Sequence, residues 1–179
     1  MTVDDNTLLK MLASPETKRK AFGLIVSQYS EMLYWKIRHF VLYHDDADDV
    51  MQNVLMKAWM NIDRFKADSK ISTWLYSIAV NESLDFLRRK KNVADADADL
   101  YAARHLMADE YFEGDATEAL LQEAIARLPD MQRTVFLLRY YDEMKYSEMS
   151  KMLERTEGAL KANYHIAAQK VLDYIKHRD

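Results

Sequence analysis

The sequence holds no cysteine, only three glycines and only two prolines, Pro15 and Pro129, in 179 residues. Without cysteine there are no disulfides, no thiolate metal sites and no cysteine nucleophile. So little glycine and proline leaves few of the turns that a chain of many short strands needs, while Ala, Leu, Met, Lys and Glu favour helices. The expected fold class is all-α. No apolar run approaches the roughly 20 residues of a membrane span, and "MTVDDNTLLKMLASPETKRK" carries acids where a signal peptide carries basic charge. No membrane insertion is expected, and a cytoplasmic location is the default. The histidines, His39, His44, His105, His165 and His177, are scattered, and no phosphate-binding glycine loop, triad or paired-carboxylate spacing occurs. The expectation is no enzyme, no small-molecule substrate, no cofactor and no catalytic or metal-ligating residue.

What is present is unevenly charged. The net charge is -4, which argues against a protein that coats nucleic acid. Residues 1–91 carry 14 basic against 12 acidic side chains, residues 92–117 carry 1 against 7, and residues 118–179 carry 10 of each. The acidic middle, "NVADADADLYAARHLMADEYFEGDAT", has no sustained helical stripe and reads as a linker between a domain over 1–91 and another over 118–179. Its "DADAD", Asp95 to Asp99, begins like a calcium loop. Leu100 and Leu106 stand where such a loop requires Gly and a bidentate Glu, so solvated charge is the better reading.

In the first block Phe22, Ile25, Val26, Tyr29, Met32, Leu33, Ile37, Phe40 and Val41 form one apolar stripe at helical spacing. Next comes "YHDDADDVMQNVLMKAW", in which His44, Asp45, Asp46, Asp48 and Asp49 precede Val50, Val54, Ala58 and Ile62. Acids at a helix start complement its dipole by about 0.3–1 kcal/mol each, which accounts for one or two of them. The surplus, followed by exposed Gln52, Asn53, Met56 and Lys57, suits a polar surface for a protein partner. In "FKADSKISTWLYSIAVNESLDFLRRKK" a helical wheel gathers Leu75, Tyr76, Ala79, Val80, Leu84, Phe86 and Leu87 on one arc. It leaves Trp74, Ser77, Asn81, Asp85 and Arg88 opposite. An aromatic platform beside an amide and a cation is what single-stranded nucleic acid uses. Equally, Trp74 covers a neighbouring loop and "RRKK" is a solvated helix end.

In the second block Leu120, Leu121, Ala124, Ile125 and Leu128 make a short apolar helix before Pro129, and Val135, Phe136, Leu138 and Arg139 continue the next. "YSEMSKMLERTEGALKANYHIAAQKVLDYI" reads as helix, turn, longer helix. On the last helix Leu160, Tyr164, Ala167, Ala168, Val171 and Ile175 share an arc, while Gly158, Ala162, His165 and Gln169 look outward beside Lys161 and Lys170. Small residues among hydrogen-bonding groups suit entry into a major groove; an unliganded solvent-facing helix has the same pattern.

Two segments carry a family resemblance. "DDADDVMQNVLMKAWMNIDRFKADSKISTWLYSIAVNESLDFLRRKK" resembles region 2 of bacterial sigma factors of the extracytoplasmic-function (ECF) group, through Gln52, Trp59, Phe65, "TWLYSIAVN", Asp85, Leu87, Arg88 and Arg89. "LLQEAIARLPDMQRTVFLLRYYDEMKYSEMSKMLERTEGALKANYHIAAQKVLDYI" is similar to region 4 of the same factors. The two cover about two thirds of the chain in the expected order. Asn53 departs from the usual Glu, Leu55 and Ile71 from the frequent Phe. Asn163 and Ile166 stand where Arg is common, and Glu154 where Gly often supplies a left-handed turn.

The resemblance implies a promoter-specificity subunit of RNA polymerase. Asp48, Asp49, Gln52 and Asn53 would dock on the clamp helices of the largest core subunit. Asp63, Arg64, Lys66, Asp68, Ser69 and Lys70, with Trp74, Asn81 and Arg88, would handle the melted -10 element of promoter DNA, where a pocket returns the few kcal/mol needed to unstack a base. Thr156, Glu157, Gly158, Lys161, Ala162, Asn163 and His165 would approach the -35 duplex, with the preceding helices touching the polymerase flap. An anti-sigma factor covering both docking faces is expected to regulate it. The alternative is a conventional helix-turn-helix regulator whose first block dimerises or binds a ligand; such a protein binds duplex DNA tightly without polymerase. A third reading is an interaction-only helical scaffold, against which Trp74, Asn81 and Lys161 speak.

Overall fold

Residues three and four apart on the sequence become the buried stripes of helices, and no strand occurs among the described residues. The computed structural model describes residues 2–65, 67, 69–93, 103–108 and 114–178, and the chain divides into two units, Met1–Arg89 and Lys90–Asp179. None of the described helices is long and apolar enough to cross a membrane.

The first unit opens with α1 (Asp5–Leu12), capped by the Asp4 carboxylate, which accepts the Thr7 N–H. Pro15 then starts α2 (Pro15–Phe40) at a position where a missing N–H costs nothing. Leu8, Ala21, Ile25, Leu33 and Ile37 are buried between α1, α2 and their neighbours. Each such Leu or Ile contributes about 1.5–3 kcal/mol of transfer free energy. The link to α3 (His44–Asn61) is short, and it too is buried: Val41 and Leu42 sit in the core, and the Arg38 guanidinium donates to the Leu42 carbonyl. Ala47, Val50, Val54 and Ala58 line the buried face of α3, as the spacing requires. A single 3-10 turn (Ile62–Arg64) precedes α4 (Ile71–Val93), whose Ile71, Leu75, Tyr76, Ala79 and Val80 are buried. Leu84, Phe86 and Leu87 are only half-buried, whereas Glu82 and Ser83 are buried. Partners explain the exchange, since Glu82 is paired to Lys57 and the Ser83 hydroxyl donates to the Ala79 carbonyl.

The second unit comprises α5 (Ala116–Ala126), α6 (Asp130–Tyr140), α7 (Tyr146–Leu153) and α8 (Glu157–Lys176). Its core gathers Ile125, Leu137, Leu138, Met149 and Leu160. Two features differ from the sequence reading. Ala103 and Leu106, placed in the linker by composition, are buried, and the 3-10 turn that Leu106 opens, Leu106–Ala108, packs against α5. On α5, Gln122 and Glu123 are buried while Leu120 and Leu121 are half-buried. Hydrogen bonding explains the rotated face. One oxygen of Glu123, Oε1, receives the Tyr174 hydroxyl at 2.6 Å, Arg104 Nε at 3.0 Å, Arg127 Nη2 at 3.3 Å and Arg178 Nη2 at 3.4 Å. A carboxylate 6% exposed is costly unless so surrounded. The "DADAD" segment lies outside the described residues.

Burial alone would push the Glu123 carboxyl upward, but the bonds from Tyr174, Arg104 and Arg127 and the charge of Arg178 outweigh it and hold it below the ordinary Glu value. A depressed carboxyl contributes stability above its unfolded pKa of about 4.3 and loses it as pH falls through the folded value. Glu123→Gln is therefore expected to destabilise the second unit by about 1 kcal/mol at pH 7, the difference from the parent shrinking as pH falls below about 4.3. All three tryptophans, Trp35, Trp59 and Trp74, lie in the first unit. Thermal unfolding followed by far-ultraviolet circular dichroism should move while tryptophan fluorescence does not, and an equal difference at pH 7 and pH 3.5 would refute the linkage.

Candidate nucleic-acid interface

The α3–α4 pair of the first unit encloses a cleft of about 400 Å³ lined by Lys57, Asn61, Arg64, Trp74, Ile78, Asn81, Glu82 and Asp85. Lys57 and Asn61 are one helical turn apart on α3; Trp74, Ile78, Asn81, Glu82 and Asp85 follow the three-and-four spacing of one α4 face. Glu82, 5% exposed, joins the walls through its ion pair with Lys57. The Asn61 amide donates to the Lys57 carbonyl at 2.8 Å, which holds that amide close to its own helix. Asn81 is exposed along the cleft. The cleft surface thus offers an aromatic ring, an amide and cations, with the acids Glu82 and Asp85 beside them.

Of the residues anticipated here, Arg64, Trp74 and Asn81 are brought together. Trp74 is half-buried, packs on Phe65 with ring centroids 5.0 Å apart at 34°, and also lines the cleft. Asp63, Ser69, Lys70 and Arg88 are exposed and lie outside the cleft lining. Both Asp63 oxygens take Lys18 Nζ at 2.6 Å, and Arg88 pairs with Asp85 at 3.0 Å. Lys66 and Asp68 lie outside the described residues. Between them Ala67 has a left-handed backbone, φ 57°, a sharp bend that costs a non-glycine residue about 1–2 kcal/mol. Sequence reading put Asp85 on the face of Trp74 and Asn81 and Lys57 on the partner surface, and it missed Asn61, Ile78 and Glu82. The signal available was the repeat Trp74, Ile78, Asn81, Asp85 on α4, matched to Lys57 and Asn61 on α3.

The opposite end of α3 carries the acids. Its N-cap is Tyr43, whose side chain makes no capping bond, and Asp45 and Asp46 stand in the first turn, where their charge complements the helix dipole. Asp48, Asp49 and Gln52 are exposed and Asn53 is half-buried. Met56 and Met60, 56% and 70% exposed, continue this surface along the helix. His44 approaches Asp48 at 3.4 Å and shares a 2.5 Å hydrogen bond with the Tyr34 hydroxyl. No group of His, Asp and Glu able to hold a metal occurs among the described residues.

In the second unit α7 and α8 form a helix-turn-helix, locked by Met149 and Leu160, both fully buried. Glu154 in the turn has φ 53° and ψ 45°, so the turn keeps its left-handed shape without glycine. Thr156 is the N-cap of α8, its hydroxyl accepting the Ala159 N–H at 3.3 Å. Glu157, Gly158, Lys161, Ala162 and His165 are exposed on the following turns, and nothing lies within 4 Å of where a Gly158 side chain would begin. Lys161 lies 3.8 Å from Glu157 and 5.6 Å over the Tyr146 ring. Asn163 is half-buried and its amide donates to the Ala159 carbonyl at 2.8 Å, so this side chain is committed to its own helix where outward reach was expected.

A helix-turn-helix unit following a helical unit with a polar cleft defines a two-module helical protein. Sigma-70 region 2 matches residues 25–93, and Sigma-70 region 4 matches residues 118–171. The ECF RNA polymerase sigma factor SigW of Bacillus subtilis is 33% identical over 156 residues, 81% of this chain and 83% of that protein. The ECF RNA polymerase sigma-E factor of Escherichia coli K12 is 28% identical over 171 residues, 86% and 85% of the two chains. This chain belongs to the ECF group of sigma-70 RNA polymerase sigma factors. Its fold matches CnrH, solved with the cytosolic domain of CnrY (TM-score 0.67, 22% identity, 98% and 99% of the two chains). It also matches the sigma factor RpoE of Bartonella quintana, solved with the anti-sigma factor NepR (TM-score 0.65, 20% identity, 88% and 98%).

Because Glu154 occupies a left-handed position, Glu154→Gly should stabilise the second unit by about 1 kcal/mol, relief of the side-chain clash exceeding the entropy added to the unfolded chain. A midpoint rise of about 4–8 °C in the circular-dichroism transition is the expected reading, and a fall would mean that the Glu154 side chain itself holds the turn.

Proposed function

We propose that the chain works through three surfaces, one on α3, one between α3 and α4, and one on α8. Asp48, Asp49, Gln52 and Asn53 of α3 dock on the clamp helices of the largest polymerase subunit. The α3–α4 cleft takes a base of the melted non-template -10 strand, with Trp74 as stacking platform, Asn81 as base-edge contact and Lys57 and Arg64 for phosphate. Asp63, Lys66, Asp68, Ser69, Lys70 and Arg88 shape its approach. The first turns of α8, from Thr156 to His165, enter the major groove of the -35 duplex, while the helices before them touch the flap. Residues 92–117 connect region 2, over 1–91, to region 4, over 118–179. The protein has no reaction of its own to catalyse: strand capture needs no ATP, because the cleft repays unstacking through contacts made only with the extruded base.

The observation that most supports this is the cleft, where an aromatic ring, an exposed amide and cations from two helices converge on about 400 Å³. Thr156 enters this reading with its hydroxyl already engaged as a helix cap, and Asn163 with its amide turned to the helix backbone; both then position α8, and Lys161, Ala162 and His165 face the bases. Both solved relatives described above are bound to other proteins, one of them named an anti-sigma factor. A binding protein that covers the α3 acids and region 4 together would keep this chain from polymerase in the same manner.

Run-off transcription with core polymerase and a genomic fragment library should give a discrete set of starts that core alone does not produce. Asn81→Ala should lower open-complex formation about tenfold with polymerase affinity unchanged, and Asp49→Ala the reverse; equal effects on both steps would contradict the division of labour. Since a side chain at Gly158 meets nothing in the free protein, Gly158→Ala should stabilise the second unit by about 0.5–1 kcal/mol and still weaken -35 binding if DNA backbone passes there. Unchanged -35 affinity in a gel-shift titration of the holoenzyme would remove Gly158 from that interface.

A further inference from the structure

The start of α4 is held by a residue 66 positions away. The Ile71 N–H, the first of the helix, donates to Asp5 Oδ2 at 3.0 Å, and the Tyr29 hydroxyl donates to Asp5 Oδ1 at 3.2 Å. Asp5 opens α1, so one carboxylate ties α1 and α2 to the N-terminus of α4. Other contacts hold that carboxylate in place. The Gln28 side chain clasps Val3, accepting its N–H at 2.9 Å and donating to its carbonyl at 3.3 Å. Leu8 is fully buried beside it in sequence, one turn along α1, and the Thr17 hydroxyl donates to the Met11 carbonyl at 2.7 Å, closing the corner between α1 and α2.

The position matters because of what lies on either side of Ile71. Lys70, just before Ile71, is exposed, and Trp74, one turn into α4, lines the cleft and packs on Phe65. A free helix N-terminus frays by a residue or two, because its first N–H groups lack intrahelical partners. Fraying at Ile71 would loosen Trp74 and its packing on Phe65. Lys18, also on α2, takes Asp63 at 2.6 Å. The segment from Asp63 to Ile71 is thus pinned at both ends by α1 and α2.

We infer that Asp5 is a positioning residue for promoter-strand selection: it caps the recognition helix α4 from the N-terminal strap and so fixes the cleft that receives the -10 base. This rests on the strand-capture reading above. It extends the selective machinery to a part of the chain, residues 2–12, that lies outside the region 2 match. It also predicts that a partner that peels off α1 would lower promoter selectivity without touching the cleft.

The test uses holoenzyme and two probes: a single-stranded non-template oligonucleotide spanning the -10 element of a promoter mapped by run-off transcription, and the same oligonucleotide with the element scrambled. Asp5→Ala should reduce the preference for the intact element about three- to tenfold, with affinity for core polymerase unchanged. Asp5→Asn, which keeps an oxygen for the Ile71 N–H and can pair its amide with Tyr29, should restore most of the preference. Ile37→Val, a mild core change two helical turns beyond Tyr29 on α2, serves as the stability control and should lower the midpoint of unfolding without moving the preference. An Asp5→Ala protein with full preference, or one losing preference and core affinity in proportion, or an Asn variant as poor as Ala, would each overturn the inference. A parent holoenzyme with no preference between the probes would instead overturn strand capture, and the role of Asp5 with it.

Discussion

The geometry of the first unit turns on one buried carboxylate and the half-exposed lysine that pairs with it. Glu82 sits on the inner side of α4, almost wholly removed from water, where an unpaired carboxylate would cost several kcal/mol. Lys57 of α3 is its partner. Two apolar helices can slide over each other by a fraction of a turn with little penalty, because dispersion and burial are not directional. The Lys57–Glu82 pair restricts such sliding, because moving Lys57 out of hydrogen-bonding reach would leave a buried carboxylate without its partner. The pair thus ties α3 to α4 at the cleft that Asn61 and Trp74 also line. Stability and site are here the same contact.

A second consequence concerns α3 itself, whose two ends perform unlike tasks in the proposed function. Its first turns are acidic and solvent-facing, its last turn forms a cleft wall, and its buried face of Ala47, Val50, Val54 and Ala58 is made of small or β-branched side chains. Such side chains let α2 and α3 approach closely and lose little rotamer entropy on packing. A rigid rod of 18 residues, about 27 Å long at 1.5 Å per residue, is a direct mechanical link between a docking surface and a reading surface. Polymerase grip at one end fixes the position of the cleft at the other without a conformational relay.

How much of this was legible in the sequence depends on the range of the interaction. Periodicities of three and four state what each residue meets within its own helix, so the stripes through Ile25, Leu33 and Ile37, through Val50, Val54 and Ala58, and through Leu160, Ala167 and Val171 were readable. The turn at Glu154 was marked by the family resemblance, in which Gly often supplies a left-handed backbone, and Glu154 adopts that backbone. Contacts between distant segments were not readable. Asp5 on Ile71, Lys18 on Asp63, Lys57 on Glu82 and Arg104 on Glu123 each pair a charge with a group 19 or more positions away, and on a wheel each looks like an ordinary polar residue. Glu123 misled most, since four donors on one oxygen allow a carboxylate to be buried where the apolar pattern alone would bury Leu120 and Leu121. The linker reading faltered for a related reason: Ala103 and Leu106 are too few to form a stripe, yet enough to seat one turn.

The same accounting bears on affinity in the proposed function. On the exposed face of α8 the cations are few and partly engaged, with Lys161 near Glu157 and Lys170 donating to Gln132 at 2.9 Å. Each phosphate neutralised adds roughly 0.9 to the logarithmic salt slope of duplex binding, so a face with so little free positive charge gains little from counterion release. The cleft carries Lys57 and Arg64 but also Glu82 and Asp85, which offset its attraction for a polyanion. Neither unit is built to hold DNA by itself, and the net charge of -4 opposes it. When polymerase fixes both units over one DNA, the second contact becomes intramolecular, and two weak readings combine through effective concentration without any stronger bond. Weakness of each half then protects specificity. A factor that bound duplex tightly alone would be distributed over non-promoter DNA, whereas one that must be mounted first commits only where both elements lie at the spacing the enzyme imposes.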